Sequence, residues 1–323
     1  MKLEDIGFYT LSDARAKFAS ITSPLWRCEL ILSDDCNFNC PYCMKIREDY
    51  SKTLTYEEAQ AIVSMWCDGG MKHVRYSGGE PTLWKGLKDL VAYSKARGVE
   101  KIALSTNGSA PTKYYLDLVA AGVNDFSISL DACCAATGEE MAGKKGIYQR
   151  VIDNIKILSS ITYVTVGVVL TETNMPEFKD IVKLASEDLG ATDIRIITAA
   201  QWNAKVPGDL LPKSIINKHP ILRYRMNNYD TGRNIRGLTP TDHNKCPLVL
   251  DDMAVAGDKH FPCIIYMRQR GDPIGKMTGS IQEVRKAREN WYLKTDTHKD
   301  SICNRICLDV CVDYNNKYRE LRG

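Results

Sequence analysis

Long hydrophobic runs are missing from this 323-residue sequence. No stretch of about 18 consecutive apolar residues occurs, which is the length that a membrane-spanning helix needs. The first residues, MKLEDIGFYTLSDARA, include acidic side chains and lack the apolar segment of a secretory signal. The net charge is small, at +3. We therefore expect a globular protein that resides in the cytoplasm and does not contact a membrane.

Cysteine, by contrast, is abundant, with 12 residues in the chain. A reducing cytoplasm disfavours a framework of disulfides. So many thiols are then better explained by metal binding or catalysis than by crosslinking.

The charges are unevenly distributed along the chain. Residues 1–199 carry 22 Lys and Arg against 26 Asp and Glu, whereas residues 200–323 carry 21 against 14. Residues 213–236 hold six Lys and Arg, one Asp, Tyr224 and Tyr229. This mixture suits a phosphate, a nucleotide or an acidic peptide, and a solvated basic face is an equally good interpretation.

Short β-branched runs alternate with amphipathic segments over most of the first 200 residues. The predicted strands are 28–33, 73–77, 101–105, 125–130, 163–170 and 193–198. The predicted helices are 55–69, 83–98, 112–122, 147–160 and 175–190. This alternation indicates parallel strands with right-handed crossovers. Six strands are too few for a closed eight-stranded barrel, so we predict an α/β fold of the partial (β/α)6 TIM-like barrel type.

The alternation stops near residue 199. We predict an N-terminal extension over 1–26, a core over 27–198, an irregular basic insertion or linker over 199–245, and a small Cys-rich domain over 246–323. The last of these contains five of the 12 cysteines.

Three cysteines follow the first predicted strand at CxxxCxxC spacing: Cys36, Cys40 and Cys43. Loops at the carboxyl ends of parallel strands form the active face of such barrels. Three thiolates leave one iron of a cubane cluster open for a further ligand. A structural zinc site is the alternative, although it needs a fourth ligand that this loop does not contain.

The loop resembles the signature of the radical S-adenosylmethionine (SAM) superfamily, in which an aromatic residue, here Tyr42, precedes the last cysteine. Gly78-Gly79-Glu80-Pro81 is similar to the motif that contacts the methionyl amino group in that family. The resemblance implies a [4Fe-4S] cluster on Cys36, Cys40 and Cys43 with SAM bound to it. It further implies contacts to SAM from Ser105, Asn107, Ser127, Ser129 and Arg150. Arg150 is equally well explained as a solvent-facing helix charge.

A second group of cysteines lies near the end of the chain: Cys246, Cys263, Cys303, Cys307 and Cys311. If residues 303–311 are helical, their CxxxCxxxC spacing places three thiols on one face, where core packing is an alternative to metal binding. The pattern resembles the SPASM and twitch extensions of radical SAM enzymes, with Gly257 in a hairpin before Cys263. Five cysteines are fewer than two clusters need, so the resemblance implies one auxiliary [4Fe-4S] cluster, with one spare thiol among Cys303, Cys307 and Cys311. Cys67, Cys133 and Cys134 are interpreted as structural.

The resemblance implies an oxidoreductase or maturase that cleaves SAM to a 5′-deoxyadenosyl radical, with electrons from a donor such as flavodoxin or ferredoxin. The radical is expected to abstract hydrogen from an unidentified substrate, in a net oxidation or bond formation assisted by the auxiliary cluster. The basic segment 213–236 favours an anionic peptide, nucleotide or sugar as that substrate. Because only 35 residues precede Cys36, we expect no leader-binding domain of the kind that many peptide maturases carry. Two alternatives stay open: a non-catalytic metal-binding module, and a nucleotide enzyme similar to the molybdenum-cofactor cyclases.

Overall fold

A computed structural model describes residues 13–200, 202 and 210–322. Parts of the predicted N-terminal extension and linker therefore lie outside the described residues. The strands are β1 (Arg27–Ile31), β2 (His73–Ser77), β3 (Lys101–Thr106), β4 (Asp125–Ser129), β5 (Tyr163–Leu170), β6 (Asp193–Thr198), β7 (Asp252–Ala256), β8 (Lys259–Phe261) and β9 (Gly275–Lys276).

Helices connect the first six strands and cover one face of the sheet. The helices are α1 (Tyr56–Asp68), α2 (Leu87–Ala96), α3 (Thr112–Ala121), α4 (Ala135–Ala142), α5 (Tyr148–Ser159), α6 (Phe178–Lys183), α7 (Lys213–Lys218), α8 (Pro220–Asp230), α9 (Ile264–Arg268), α10 (Ile281–Lys294), α11 (Ser301–Ile306) and α12 (Asp309–Arg322). α1 begins with a capping box, in which the Thr55 side chain and Glu58 bond each other's backbone N–H groups.

All described strands belong to one sheet, in the order β6-β5-β4-β3-β2-β1-β7-β8-β9. The pairs from β6 to β7 are parallel, and β8 and β9 add antiparallel strands. Six consecutive strand–helix units in an open parallel sheet confirm the predicted α/β class and partial barrel. The main core lies between the sheet and its helices and includes Leu30, Tyr76 and Phe126.

The opposite face of the sheet is polar. Glu29 pairs in register with Arg75, Arg75 with Ala103, and Ala103 with Asp125. Neighbouring residues of a parallel pair project from the same face. Charged side chains therefore line the inner face of the partial barrel.

The structure differs from the sequence-based expectations in three places. Residues 213–230 form α7 and α8 instead of an irregular segment, because Ile215, Leu222 and Met226 pack into the main core. β7 continues the barrel sheet by pairing with β1. The helix over the last three cysteines is broken at Cys307, whose backbone is extended (φ −50°, ψ 134°) between α11 and α12. The predicted domain boundaries stay predictions.

Candidate functional site

The loop that follows β1 brings the first three cysteines together. The Cys43 N–H donates to the Cys40 carbonyl at 3.1 Å, and Cys36 Sγ accepts from the Phe38 N–H at 3.4 Å. Cys36 and Cys43 are exposed, and Cys40 is half-buried. The thiols are close enough to influence one another electrostatically.

These thiols fit a metal centre. Burial raises the pKa of Cys40 to about 12 and also raises the pKa of Cys36. A coordinated thiol loses its proton despite such burial, because the metal charge dominates the local electrostatics. Three thiols from one exposed loop match a cubane with one open iron, and loading the loop would release protons.

Tyr42 fastens this loop to the ends of two strands. Its hydroxyl donates to the Asp131 carboxylate just after β4. The Val169 N–H of β5 donates to the other Asp131 oxygen at 2.6 Å. Burial raises the pKa of Asp131 to about 6, while the hydrogen bond from Tyr42 opposes that shift. The ring of Tyr42 is thereby held at the edge of the cysteine loop.

A second loop, after β2, packs closely against the first. The Gly79 N–H donates to the Ser33 carbonyl at 2.8 Å, and the Glu80 N–H donates to the Asp35 carbonyl at 2.7 Å. A Cβ on Gly78 would meet the Ser33 carbonyl oxygen at 2.4 Å, and a Cβ on Gly79 would meet that of Asp35 at 2.3 Å. The loops can approach this closely only because both residues are glycine.

Glu80 connects β2 to β3 through hydrogen bonds. Its side chain is 1% exposed and accepts from the Thr106 hydroxyl and the Asn107 N–H, each at 2.7 Å, and from Thr82. Burial raises its pKa. Pro81 begins a short 3-10 turn directly after it. The predicted contact of Glu80 with SAM stays a prediction.

The other predicted SAM contacts occupy different places. Ser105 and Ser129 line the same cavity as Tyr42, Gly78, Gly79 and the first three cysteines. Asn107 Nδ2 lies 3.9 Å from Cys36 Sγ. Ser127 is buried, and Arg150 is exposed on α5 with Nη1 3.5 Å from the Ser109 carbonyl. The described residues that line the cavity do not include the other five predicted SAM contacts, which are Glu80, Pro81, Asn107, Ser127 and Arg150.

The five cysteines of the second group also come together. They interact electrostatically with one another, and Cys307 shares a hydrogen bond with Cys311. Burial raises the pKa of Cys246 to about 12, and Cys263 Sγ accepts from the Tyr266 N–H at 3.4 Å. Within the described chain, no three His, Cys, Asp or Glu side chains are arranged to hold a single metal ion.

One cavity of about 1180 Å³ connects the two cysteine groups. Cys36, Cys40 and Cys43 line it at one end, and Cys263 and Cys311 line it elsewhere. Eight arginines contribute to its wall: Arg27, Arg47, Arg75, Arg195, Arg225, Arg236, Arg268 and Arg270. Arg27 is paired with Asp252 at 2.7 Å, and Arg225 is paired with Asp309. The cavity is therefore rich in positive charge and opens to both candidate metal sites.

Comparison with known families and structures identifies the core. Residues 30–185 match the radical SAM superfamily. The chain contains a radical SAM domain. It is 33% identical over 174 residues to a GTP 3',8-cyclase of Alkaliphilus metalliredigens, covering 51% of this chain and 53% of that protein. It is 33% identical over 137 residues to molybdenum cofactor biosynthesis protein 1 of Drosophila melanogaster, covering 41% of this chain and 24% of that protein. The chain thus spans about half, or less, of these curated relatives.

Solved structures resemble the chain beyond the radical SAM domain. SuiB of Streptococcus suis, bound to the precursor peptide SuiA, has a TM-score of 0.60 at 14% identity, covering 90% of this chain and 76% of that one. anSMEcpe with bound AdoMet and a Cp18Cys peptide has a TM-score of 0.58 at 14% identity, covering 92% and 96%. This likeness concerns the fold. No helix in the described part of the chain is long and apolar enough to cross a membrane.

Several cavity residues escape motif-based prediction. Glu29, Arg75 and Arg195 stand within strands β1, β2 and β6 and line the cavity. Parallel strands covered on both faces are normally apolar throughout. A charged residue inside each of these runs is therefore the signal that could have identified them. Cys67, Cys133 and Cys134 are not among the described lining residues, and Cys133 Sγ lies 3.2 Å from Glu177.

Proposed function

We propose that this chain is a radical SAM enzyme whose Cys36, Cys40 and Cys43 hold a [4Fe-4S] cluster. When bound, the cluster and SAM supply a 5′-deoxyadenosyl radical. The observation that carries the proposal is the shared cavity, in which the three cysteines meet Gly78, Gly79 and other predicted SAM contacts. Flavodoxin or ferredoxin is the proposed class of electron donor.

The protein's own residues would orient SAM. The glycine pair lets the backbone after β2 approach the ligand, and Ser105 and Ser129 offer hydroxyl groups from β3 and β4. Tyr42 offers the face of an aromatic ring.

The second cysteine group is the proposed site of one auxiliary [4Fe-4S] cluster. Four thiolates fill such a cluster, and five thiols are gathered here, so one stays spare. Cys263 and Cys311 line the cavity, and their cluster would therefore face the substrate. The N-terminal extension, radical SAM core, basic insertion and Cys-rich domain keep their predicted boundaries in this proposal.

A nucleotide is the proposed substrate class. Relatives named GTP 3',8-cyclase support it, together with the arginines of the cavity, since arginine suits phosphate groups. A peptide is the second candidate, because the fold likeness to SuiB bound to its precursor peptide covers 90% of this chain. In either case the positively charged cavity favours an anionic substrate.

Anaerobic reconstitution tests the cluster assignment. We expect about eight irons per chain, four for each of two cubanes, and release of 5′-deoxyadenosine from SAM under reduction. Cys40→Ala should lower the iron to about four and abolish SAM cleavage. Cys134→Ala, at an exposed cysteine outside both groups, is the matched control and should behave as the wild type.

Two results would reject these assignments. A Cys40→Ala protein that still cleaves SAM would remove the first cluster from this loop. Zinc without iron in the purified protein would favour the non-catalytic binding module. The substrate class is tested by equilibrium binding of GTP, and a protein that does not bind GTP would shift the proposal to the peptide class.

A further inference from the structure

Arg288 of α10 is a buried arginine whose five N–H groups all find an acceptor. It is 1% exposed. Nε donates once, and Nη1 and Nη2 donate twice each, to the carbonyls of Val249, Asp252, Phe261 and Pro262 and to Nδ1 of His260. The Asp252 carboxylate also interacts with Arg288 electrostatically, although that carboxylate is paired with Arg27 at 2.7 Å. All five hydrogen bonds of this cation therefore end on uncharged groups.

These hydrogen bonds join the segments that carry two cysteines of the second group. Val249 follows Cys246 in a short turn, and its N–H donates to the Cys246 carbonyl at 3.1 Å. Pro262 directly precedes Cys263. Arg288 reaches the Val249 carbonyl at 2.8 Å and the Pro262 carbonyl at 3.1 Å. Because a guanidinium is planar and rigid, it fixes the distance between its acceptors and, with it, the spacing of the two cysteines.

The positive charge of Arg288 also acts on the second cysteine group. Arg288 interacts electrostatically with Cys263. Burial lowers the pKa of Arg288 to about 10, so the side chain stays charged at neutral pH. Burying a cation costs free energy, which hydrogen bonds to carbonyls offset only in part. A negatively charged group beside Cys263 would compensate this charge further, and four thiolates around a cubane supply negative charge.

We propose that Arg288 is a positioning residue for the auxiliary cluster, which holds Cys246 and Cys263 at the spacing the cluster needs and raises its reduction potential. This rests on the proposed auxiliary cluster. A reduced cluster carries one more negative charge than an oxidised one, so a nearby buried cation favours the reduced form. A purely structural role would need the hydrogen bonds alone. Removing the charge should then leave the potential unchanged, and this difference makes the proposal testable.

Anaerobic reconstitution in a Cys40→Ala background tests this assignment, because only the auxiliary cluster should then form, with about four irons per chain. Arg288→Lys keeps the charge but cannot span the same carbonyls, so it should lose part of this iron. Arg288→Gln removes the charge, so the clusters that form should have a more negative midpoint potential. Chemical analysis measures the iron content. A potentiometric titration followed by electron paramagnetic resonance measures the shift in potential.

Arg285→Gln is the matched control. Arg285 lies three residues earlier on α10 and donates to the Ser20 and Ile21 carbonyls, so its loss should leave iron content and potential unchanged. Full iron in both Arg288 variants, with an unchanged potential in Arg288→Gln, would overturn the Arg288 assignment alone. If Arg288→Gln takes up no iron, Arg288→Lys decides, since full iron in that variant would contradict the positioning role. A Cys40→Ala parent without iron would overturn the auxiliary cluster and, with it, the role of Arg288.

Discussion

His260 shows how burial sets the charge of a single residue. Its ring is 1% exposed on β8, and Arg288 Nη1 lies 3.2 Å from its Nδ1. Because arginine can only donate, Nδ1 accepts and the ring is neutral. Burial, followed by the positive charge of Arg288, lowers the pKa of His260 to about 3.

This lowered pKa predicts acid sensitivity. In the unfolded chain His260 would take up a proton near pH 6.5, whereas the folded protein resists protonation until about pH 3. The unfolded state therefore binds the proton first, and stability falls as the pH decreases through this interval, by up to a few kcal/mol. His260→Gln, whose amide oxygen can still accept from Arg288, should flatten the decline of the unfolding midpoint between pH 6.5 and 4.

The comparison at pH 7.5 is the internal control for that experiment, because the ring is then uncharged in both states. A His260→Gln variant with the same pH slope as the wild type would contradict the assignment. The measurement uses protein without clusters, so that the release of iron does not distort the unfolding midpoint.

At the scale of elements, α9 joins the two cysteine groups. It follows Cys263 directly, and at its end Arg268 Nη2 donates to the Gly78 carbonyl at 2.7 Å. Nearby, the Tyr50 hydroxyl donates to the Met267 carbonyl at 3.4 Å. The segment after the second cysteine group thus supports the loops that are proposed to bind SAM.

We therefore expect Arg268 to position the Gly78 loop. Arg268→Ala should weaken SAM binding about tenfold, the effect of losing one charge-assisted hydrogen bond, and should leave the iron content unchanged. Arg268→Lys should restore part of the affinity. Arg305→Ala is the control, because that exposed side chain donates to the Ser301 carbonyl of its own helix. Unchanged SAM affinity in Arg268→Ala would show that the loop holds its shape alone.

The elements also show what the sequence can predict. The first six strands and their helices can be predicted from the sequence, because each is a local pattern of apolar residues with its own period. The predicted bounds of β2, β5 and β6 agree with the structure. β7 is five residues long and is stabilised by pairing with β1, which is more than 200 residues away in the chain. No local pattern contains that partner. The contact between Arg268 and Gly78 is equally non-local.

The same contrast between local patterns and contacts of distant residues applies to the candidate site. Cys36, Cys40 and Cys43 could be predicted because they are neighbours in the sequence. The gathering of Cys246 and Cys263 with Cys311, by contrast, depends on the packing of α12 and α9. Glu29 carries no motif. Its place on the cavity wall becomes visible only when the fold shows which strand residues line the cavity.

At the scale of the whole molecule, a buried ion pair joins the basic insertion to the Cys-rich domain. Arg225 of α8 bonds Asp309 at the start of α12, and their side chains are 4% and 0% exposed. Asn228 donates to the other Asp309 oxygen. α8 also packs against β6 of the radical SAM domain. The charge of Arg225 is thus satisfied inside the protein, which leaves fewer cations of this segment for an anionic ligand.

Removing one partner of this pair should destabilise the protein strongly. Arg225→Met leaves Asp309 buried without its counter-charge, a loss of about 3–5 kcal/mol. Adding Asp309→Asn to the Arg225→Met variant should recover most of the lost stability. The uncompensated charge then disappears, while the amide oxygen still accepts the hydrogen bond from Asn228. Arg233→Met, at a partly exposed pair with Asp313, should cost less than about 1 kcal/mol. Denaturant unfolding measures all three.

The same variants report on the auxiliary site. Asp309 lies between Cys307 and Cys311 in the chain. If loss of the ion pair displaces the first residues of α12, these two thiols should move apart. Arg225→Met should then lose about four of eight irons and keep SAM cleavage at the first cluster. An unchanged unfolding midpoint with full iron content would show that the insertion and the Cys-rich domain are held together by other contacts, since the buried charge would then carry no measurable cost.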